Sequence, residues 1–393
     1  GEADELIERH APVTRLDATD RGRADVAAAC EFIERPPPCR AQRAEPAPRG
    51  LLERAVDVGG VGEILRHWQE PMPLGLGLGT FADMDTTTAT TTDPIETDWD
   101  VIIVGRSFAG LSAALTLGRA RRSVLVVGTG GPRNEAVGHA HGMLSRDHES
   151  PTAIIAVAEA QLARYPNIGL VDDRVLAIEP IGPGAGFRAT VGRRTTTATG
   201  VVLANGVNDD PMPIPGVAEH WGRGVFTCPF CDGWEHRDLH LAVIGDPAFA
   251  PHTGQLLTGW SDRVTVFCDL DADVVERLAG FGVAVDDRPV ARVLGDGAAV
   301  SGIELEDGTV VAVGAVFHAR LPVPNTPLAV SLGCELAPMG FVVTDEMQRT
   351  TVDGVWAAGD LTGMRHQMSF AIADGAAAAS SLVAYLMGTL PPS

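Results

Sequence analysis

The chain contains no lysine, and its 30 basic residues, all arginines, are outnumbered by 51 acidic residues, giving a formal net charge of −21. The absence of lysine excludes Schiff-base chemistry and a P-loop lysine. The acidic excess argues against nucleic acid as a partner, because phosphate contacts need basic side chains.

Long apolar runs are also absent, since the longest stretches, such as Val101 to Val104, have the length of strands. We therefore expect no membrane helix and no membrane partner. Residues 1–6 are acidic rather than basic and then apolar, so no signal peptide is expected. This predicts a reducing cytoplasmic location, where a C-x-x-C pair is more often catalytic than structural.

The length of 393 residues and the 45% hydrophobic content predict two or three domains. Residues 1–83 differ from the rest and contain two possible amphipathic helices, 20–34 and 51–68, separated by proline-rich breaks. This segment is interpreted as an N-terminal arm or a small helical domain. The Thr-rich residues 84–97 are typical of a linker.

One C-x-x-C pair, Cys228 and Cys231, lies between two strand-turn-helix patterns. A zinc site would need two further ligands at compatible spacing, and no second C-x-x-C is present. The pair is therefore interpreted as a redox dithiol. Asp232 follows directly, and a proton acceptor beside such a pair raises the reactive thiolate fraction.

The first strand-turn-helix pattern begins at Asp100, and its turn reads Gly105-Arg106-Ser107-Phe108-Ala109-Gly110. This is a dinucleotide-binding pattern in which Gly105 makes the tight turn and Gly110 lets the helix approach the sheet. It departs from the usual fingerprint in two places. Ser107 replaces the middle glycine, and Gly128 stands where an acidic residue would bind the ribose. Thr129 or backbone groups are then expected to hold the ribose.

Several motifs resemble, in order and spacing, the thioredoxin-reductase-like family of FAD-dependent disulfide oxidoreductases. They are residues 105–110, 131–134, 139–142, 203–206, 228–235 and 357–360. The resemblance implies an α/β fold with two Rossmann-like nucleotide-binding domains. The FAD domain would be discontinuous, spanning 98–215 and 318–393, and would enclose a second domain at 216–317. It also implies a homodimer.

The resemblance also implies residue roles. Cys231 would face the flavin, Cys228 would exchange with substrate, Asp232 would handle the proton, and His139 and His141 would be bases near the flavin. Satisfied loop histidines remain an equal alternative for the last two. Asp360 would accept a hydrogen bond from the ribityl chain, although a plain helix cap is the other interpretation. The implied FAD-binding residues are Gly105, Ser107, Gly110, Thr129, Arg133, Asn134, Ala204, Gly206, Gly359, Asp360 and Gln367.

The second nucleotide pattern argues against tight NADP(H) binding. Its turn carries Asp246 and Pro247, where a pyrophosphate needs free N–H groups and no negative charge. After the next strand, Asp269, Asp271 and Asp273 stand where NADPH users of the family carry basic residues, and they would repel a 2′-phosphate.

Three functional hypotheses follow. The resemblance points most closely to the branch containing dithiol oxidases that close disulfides in natural products such as gliotoxin and holomycin, with O₂ as acceptor and a small-molecule dithiol as substrate. The second hypothesis is an NADPH-dependent thioredoxin reductase acting on a thioredoxin-like protein. The third is a non-catalytic flavin-binding redox sensor.

Overall fold

The computed structural model describes Ile95 and residues 98–390. The predicted arm at 1–83, the predicted linker at 84–97 except for Ile95, and the final three residues lie outside the described residues. In chain order the first half contains β1 (Asp98–Val104), α1 (Phe108–Arg119), β2 (Val124–Val127), α2 (Pro151–Leu162), β3 (Ile168–Val171), β4 (Val175–Pro180), β5 (Phe187–Val191), β6 (Arg194–Leu203), β7 (Val207–Asn208) and β8 (Val225–Phe226).

The second half begins with the short helix that carries the dithiol and ends with the longest helix. Its elements are α3 (Pro229–Asp232), β9 (Leu241–Gly245), α4 (Ala250–Leu257), β10 (Val264–Phe267), α5 (Ala272–Gly280), β11 (Val283–Asp286), β12 (Val290–Gly295), β13 (Val300–Leu305), β14 (Val310–Val311), β15 (Ala315–Ala319), β16 (Val323–Pro324), α6 (Pro327–Leu332), β17 (Val355–Ala357) and α7 (Met368–Leu386).

The first sheet has seven strands in the order β3-β2-β1-β6-β5-β4, and β17 also pairs with β6. Strands β1, β2, β3, β6 and β17 run parallel, whereas β4 and β5 form an antiparallel extension. A strand from the end of the chain thus completes the sheet begun by β1. This brings the Gly359-Asp360 turn beside the dinucleotide turn.

Strand β1 is apolar because both faces of the sheet are covered. Ile102 and Val104 pack into one hydrophobic cluster, and Val101 and Ile103 pack into another that includes α1 and α7. A central parallel strand buried on both sides has this continuous apolar pattern.

The second sheet is entirely parallel, in the order β11-β10-β9-β15-β8. A small antiparallel sheet, β12-β13-β14, precedes β15. The predicted α/β fold with two Rossmann-like units is confirmed. The two units follow the same geometry, since the first glycine of each turn, Gly105 and Gly245, packs against a carbonyl at the carboxyl end of the adjacent parallel strand, β6 and β15 respectively.

Helix α7 is longer and more apolar than the sequence led us to expect. By length and composition alone its 19 residues reach what a membrane span requires. Its buried face, however, packs on α1 and the first sheet, with Ala378, Ala379 and Leu382 in the core. The indole of the buried Trp356 donates a hydrogen bond to Ser381 of this helix at 3.1 Å. The helix is therefore a core element of this unit.

Candidate active site

A cavity of about 830 Å³ opens at the carboxyl ends of β1, β2 and β6, and it extends to the dithiol helix α3. Most of the predicted site residues line it. They are Gly105, Ser107, Thr129, Arg133, Asn134, His139, His141, Ala204, Gly206, Cys228, Cys231, Asp232, Asp360 and Gln367. Two predicted residues, Gly110 and Gly359, lie behind this lining and contact other protein groups.

The turn after β1 leaves room for a ligand at the start of α1. Gly105 has a φ of +116°, and a Cβ there would lie 2.1 Å from the carbonyl oxygen of Ala204. A Cβ on Gly110 would lie 1.9 Å from the carbonyl oxygen of Gly105, so helix and turn are in backbone contact. The Ser107 side chain makes no capping hydrogen bond, so the first amides of α1 stay directed at the cavity.

Gly128 is explained by its neighbour Arg106 rather than by a nucleotide. A Cβ at position 128 would lie 2.6 Å from the backbone nitrogen of Arg106. The Arg106 side chain lines the cavity, and its Nε lies 2.5 Å from Oε1 of Glu159 on α2. Positions 106 and 128 are therefore sterically coupled, a relation that the sequence pattern did not indicate.

Arg133 bridges two carboxylates at the cavity wall. Its Nε and Nη2 donate to Asp209 at 2.9 and 2.5 Å, and its Nη1 donates to Asp360 at 2.9 Å. The guanidinium group thus fixes the Gly-Asp turn that follows β17. Asp209 was missed by the sequence analysis because it lies 76 residues from Arg133 and belongs to no motif.

We expect Arg133→Gln to lower the free energy of unfolding by about 2–4 kcal/mol, because two half-buried carboxylates would lose their shared counter-charge. FAD should also be released more readily, since the Asp360 turn would no longer be fixed. Equilibrium urea unfolding and flavin fluorescence measure the two effects. Arg292→Gln is the control, because that arginine pairs with Glu304 at an exposed position. Equal, small losses in both variants would contradict the bridging role.

The dithiol lies at the other end of the cavity. Cys228 and Cys231 form a disulfide with a Cα–Cα distance of 5.3 Å, and both residues line the cavity. Cys228 is the N-cap residue of α3, and Pro229 occupies the first helical position, where no N–H is needed. The pair is therefore held on a rigid turn that faces the same space as the β1 turn.

Asp232 carries a strongly shifted carboxyl group. Burial raises the pKa of Asp232 to about 7; a positive charge on His141 would act in the opposite sense, and the nearby Glu235 carboxylate adds to the increase. A group that titrates near neutral pH can both give and take a proton under working conditions. This suits the proton transfer that thiol-disulfide exchange needs.

Three histidines of the loop after β2 gather at α3. His141 Nδ1 lies 2.8 Å from the carbonyl oxygen of Cys231, and its Nε2 lies 3.1 Å from Nδ1 of His148. The His141 Nε2 atom is also 3.5 Å from Oε1 of Glu235. His139 stacks on His148 with ring centroids 4.2 Å apart. His139 and His141 were predicted from the sequence, whereas His148 and Glu235 were not.

Two buried polar atoms on the cavity wall have no protein partner among the described residues, namely His366 Nε2 and Asn205 Oδ1. Burial lowers the pKa of His366. Unsatisfied buried atoms of this kind call for a polar ligand. Together with the backbone cradle and a volume within the usual range of cofactor pockets, they fit the FAD that the fold implies.

The corresponding turn of the second unit is different. The residues after β9 do not line this cavity, and Asp246 is 3.8 Å from an arginine, Arg320, that also pairs with Asp210 at 3.1 Å. Burial raises the pKa of Cys268 at the end of β10, and the charges of Asp246 and Asp269 raise it further. The edge where a nicotinamide dinucleotide would bind therefore carries several carboxylates, of which Asp246 and Asp210 share Arg320.

The sequence also contains an H-x-x-x-H pair, His236 and His240, close to the dithiol. Such a pair could supply the two further ligands that a zinc site needs. In the structure His236 bonds to the Asp232 carbonyl, and His240 bonds to Thr265 and the Ala312 carbonyl. Within Ile95 and residues 98–390, no group of three or more potential metal ligands comes together.

The fold and site define a flavin-binding oxidoreductase that acts on sulfur groups through a paired dithiol. Residues 99–378 match the sequence model of the pyridine nucleotide-disulphide oxidoreductase family. The chain belongs to this family, and its resemblance to thioredoxin reductases is confirmed.

Several relatives share most of this chain. Thioredoxin reductase tcpT of Claviceps purpurea is 31% identical over 306 residues, covering 74% of this chain and 95% of the relative. Thioredoxin reductase of Treponema pallidum is 32% identical over 313 residues, covering 74% and 98%.

Among solved structures, an oxidoreductase from Agrobacterium tumefaciens is 37% identical with a TM-score of 0.68, covering 75% of this chain and 100% of that one. HlmI is 34% identical with a TM-score of 0.71, covering 74% and 93%.

Proposed function

We propose that the protein is an FAD-dependent dithiol oxidase that closes a disulfide in a small-molecule dithiol and uses O₂ as the electron acceptor. The observation that carries this proposal is that both sulfur atoms border the same cavity as the FAD-binding turn, whereas the second nucleotide turn is acidic and outside that cavity. Electrons have a short route from the dithiol to the flavin. The carboxylates at the second turn disfavour the binding of a nicotinamide dinucleotide, and therefore electron transfer from it.

The residues act in a definite order in this proposal. A substrate thiolate attacks Sγ of Cys228, the bond to Cys231 breaks, and Cys231 leaves as a thiolate. The second substrate thiol then attacks the mixed disulfide, which closes the substrate disulfide and releases Cys228. The substrate loses two electrons and two protons: one proton goes to solvent when the attacking thiolate forms, and Asp232 takes up the other when the second thiol attacks.

Cys228 and Cys231 then re-form their disulfide and give up the electron pair, for which FAD, when bound, would supply the acceptor on the way to O₂. The O₂ also takes up two protons and becomes hydrogen peroxide. Residues of the cavity wall from the β1 turn to α3, with Gln367, would hold the cofactor, and the first amides of α1 would be available to its pyrophosphate. The His141 side chain fixes α3 by donating Nδ1–H to the Cys231 carbonyl. No proton is added or lost overall, since the two from the dithiol appear in the peroxide.

NADP(H) binding is the point on which the proposal differs from a thioredoxin reductase. Pro247 supplies no N–H at the second turn, and Asp246 places a carboxylate where a phosphate would lie. The names of the relatives favour the alternative, an NADPH-dependent reductase of a thioredoxin-like protein. A flavin-binding redox sensor is the second alternative.

Anaerobic mixing of the FAD-loaded protein with either reductant distinguishes these functions. We expect micromolar small dithiols to bleach the flavin absorbance within seconds, while NADPH at the same concentration bleaches it at least roughly 100-fold more slowly. Readmitted O₂ should restore the absorbance and yield one peroxide per dithiol. Rapid bleaching by NADPH would instead establish the reductase. Bleaching without turnover would favour the sensor.

Two further expectations stay predictions: a homodimer, which the family resemblance implies, and a cytoplasmic location, which was predicted from residues 1–6 and the absence of long apolar runs. Sedimentation of the FAD-loaded protein measures the first.

A further inference from the structure

His148 has a backbone conformation that its residue type disfavours. Its φ is +66°, in the left-handed region that glycine adopts freely and other residues rarely occupy. The loop holds it there through two backbone bonds that pair Ala140 with this end of the loop: His148 N donates to the Ala140 carbonyl, and Ala140 N donates to the Glu149 carbonyl. Strain of this kind persists where the surrounding structure imposes it, and it occurs most often at functional sites.

The hydrogen bonds of His141 determine whether Nδ1 of His148 is a donor or an acceptor. The Cys231 carbonyl can only accept, so Nδ1 of His141 carries the proton in that 2.8 Å bond. In the neutral ring, Nε2 is then an acceptor, and Nδ1 of His148 must be its donor at 3.1 Å. The Glu235 carboxylate, at 3.5 Å from the same Nε2, can accept only if that nitrogen is protonated.

We infer that His148 is a positioning residue for the dithiol: it holds the His141 ring on Cys231 and, by donating to its Nε2, keeps that ring neutral against the pull of Glu235. The inference rests on the proposed function, because a charge on His141 matters only if the Cys231 thiolate forms during turnover. A neutral ring beside the thiolate leaves Asp232 as the proton-transfer group.

Other polar and charged groups also surround the His141 and His148 rings. Asp232 of α3 lies close enough to His141 that an imidazolium there would lower its pKa, and His236 bonds to the Asp232 carbonyl. In the loop itself, His139 stacks on His148, and Asp147 accepts the amide of Gly142.

Two more contacts complete the surroundings of the loop. Arg146 pairs with Glu149, and Ser369 of α7 donates its hydroxyl to the Gly142 carbonyl. The competition at Nε2 is therefore between His148 and Glu235.

Removing the imidazole should shift the pH dependence of the thiol chemistry in a predictable direction. In His148→Gly, Glu235 becomes the nearest partner of His141 Nε2 and favours the imidazolium form. A positive charge beside Cys231 stabilises a thiolate, so the midpoint of the pH profile should move to lower pH by roughly half a unit to one unit. The variant should fold, because glycine adopts a positive φ without strain.

The test uses the full-length FAD-loaded protein and three variants. Ser145→Gly is the matched control, because Ser145 has a φ of +71° in the same loop but no imidazole. His148→Asn is the conservative variant, since asparagine tolerates the left-handed region and its amide can donate to Nε2. The readouts are the pH profile of turnover with dithiothreitol and, independently, the pH dependence of iodoacetamide alkylation of the reduced protein.

We expect both profiles to shift in His148→Gly, to return to the original midpoint in His148→Asn, and to be unchanged in Ser145→Gly. An unshifted His148→Gly profile, or a His148→Asn profile that matches it, would overturn the inference. If the unaltered protein shows no turnover with dithiothreitol, the proposed function fails. The alkylation profile still tests His148 in that case.

Discussion

A Cys231→Ser variant should bind FAD and stay yellow, yet its dithiol oxidation should fall by roughly 10³-fold or more. Serine is nearly isosteric, so the cavity and the α3 turn should keep their shape. Its oxygen cannot form a disulfide with Cys228, however, so the variant has no disulfide with which to oxidise the substrate dithiol. Turnover with dithiothreitol and the flavin content of the purified protein measure the two results.

The reciprocal variant, Cys228→Ser, should lose turnover equally but differ in its spectrum. It leaves the Cys231 thiolate beside the flavin, and a long-wavelength absorption band should appear that Cys231→Ser lacks. Cys268→Ser is the control, because this half-buried thiol lies at the end of β10, away from the cavity. It should keep activity within about twofold. Full activity in Cys231→Ser would remove the role proposed for that residue.

The second large effect is expected for Asp232→Asn, which should lower turnover by about 10²- to 10³-fold while making the protein more stable above pH 7. Asparagine keeps the shape of the side chain but cannot exchange the proton. Activity should fall because the thiolates of Cys228 and Cys231 then lose their proton-transfer group. Stopped-flow turnover at pH 7 measures this loss.

The stability effect follows from the direction of the pKa shift. Burial raises the pKa of Asp232 from 3.8 to about 7 in the folded protein, so between these values the folded state binds more protons than the unfolded state. Stability therefore falls as pH rises through this window, and the loss is complete above pH 7. Asp232→Asn removes that loss and should gain roughly 1–3 kcal/mol at pH 8.

At pH 3.5 the same variant should match the unaltered protein, because the carboxyl group is protonated in both states. Urea unfolding at the two pH values tests this, with Asp238→Asn as a control at an exposed position. A variant that is less stable at pH 8 would show that the Asp232 carboxylate is stabilised in the folded state. It would also remove the basis for its role near neutral pH.

Local sequence patterns predicted much of the fold. The apolar run of β1 and the glycines at 105 and 110 predicted the first βαβ unit, because chain geometry over a few residues fixes a tight turn and a close helix. The element boundaries were less well predicted. The first strand, for example, begins at Asp98 rather than at Asp100.

Such local patterns could not predict which residues the site residues contact. Arg133 and Asp360 are 227 residues apart, and His141 and Cys231 are 90 residues apart. No local periodicity records these pairings, because they arise when separate loops are brought to one edge of the sheet. His148 looked like an ordinary loop residue in the sequence, and only its φ and its ring contacts distinguished it.

The sequence by itself determined the two strand-turn-helix units, the redox pair and the acidic second turn, since each depends on the chemistry of residues that are neighbours in the chain. The tertiary structure decided which groups are in contact. It placed the dithiol on the same cavity as the β1 turn, paired Arg133 with two carboxylates, and placed His141 between His148 and Glu235. Burial and distance control proton affinity and electron transfer, and both are properties of the folded chain.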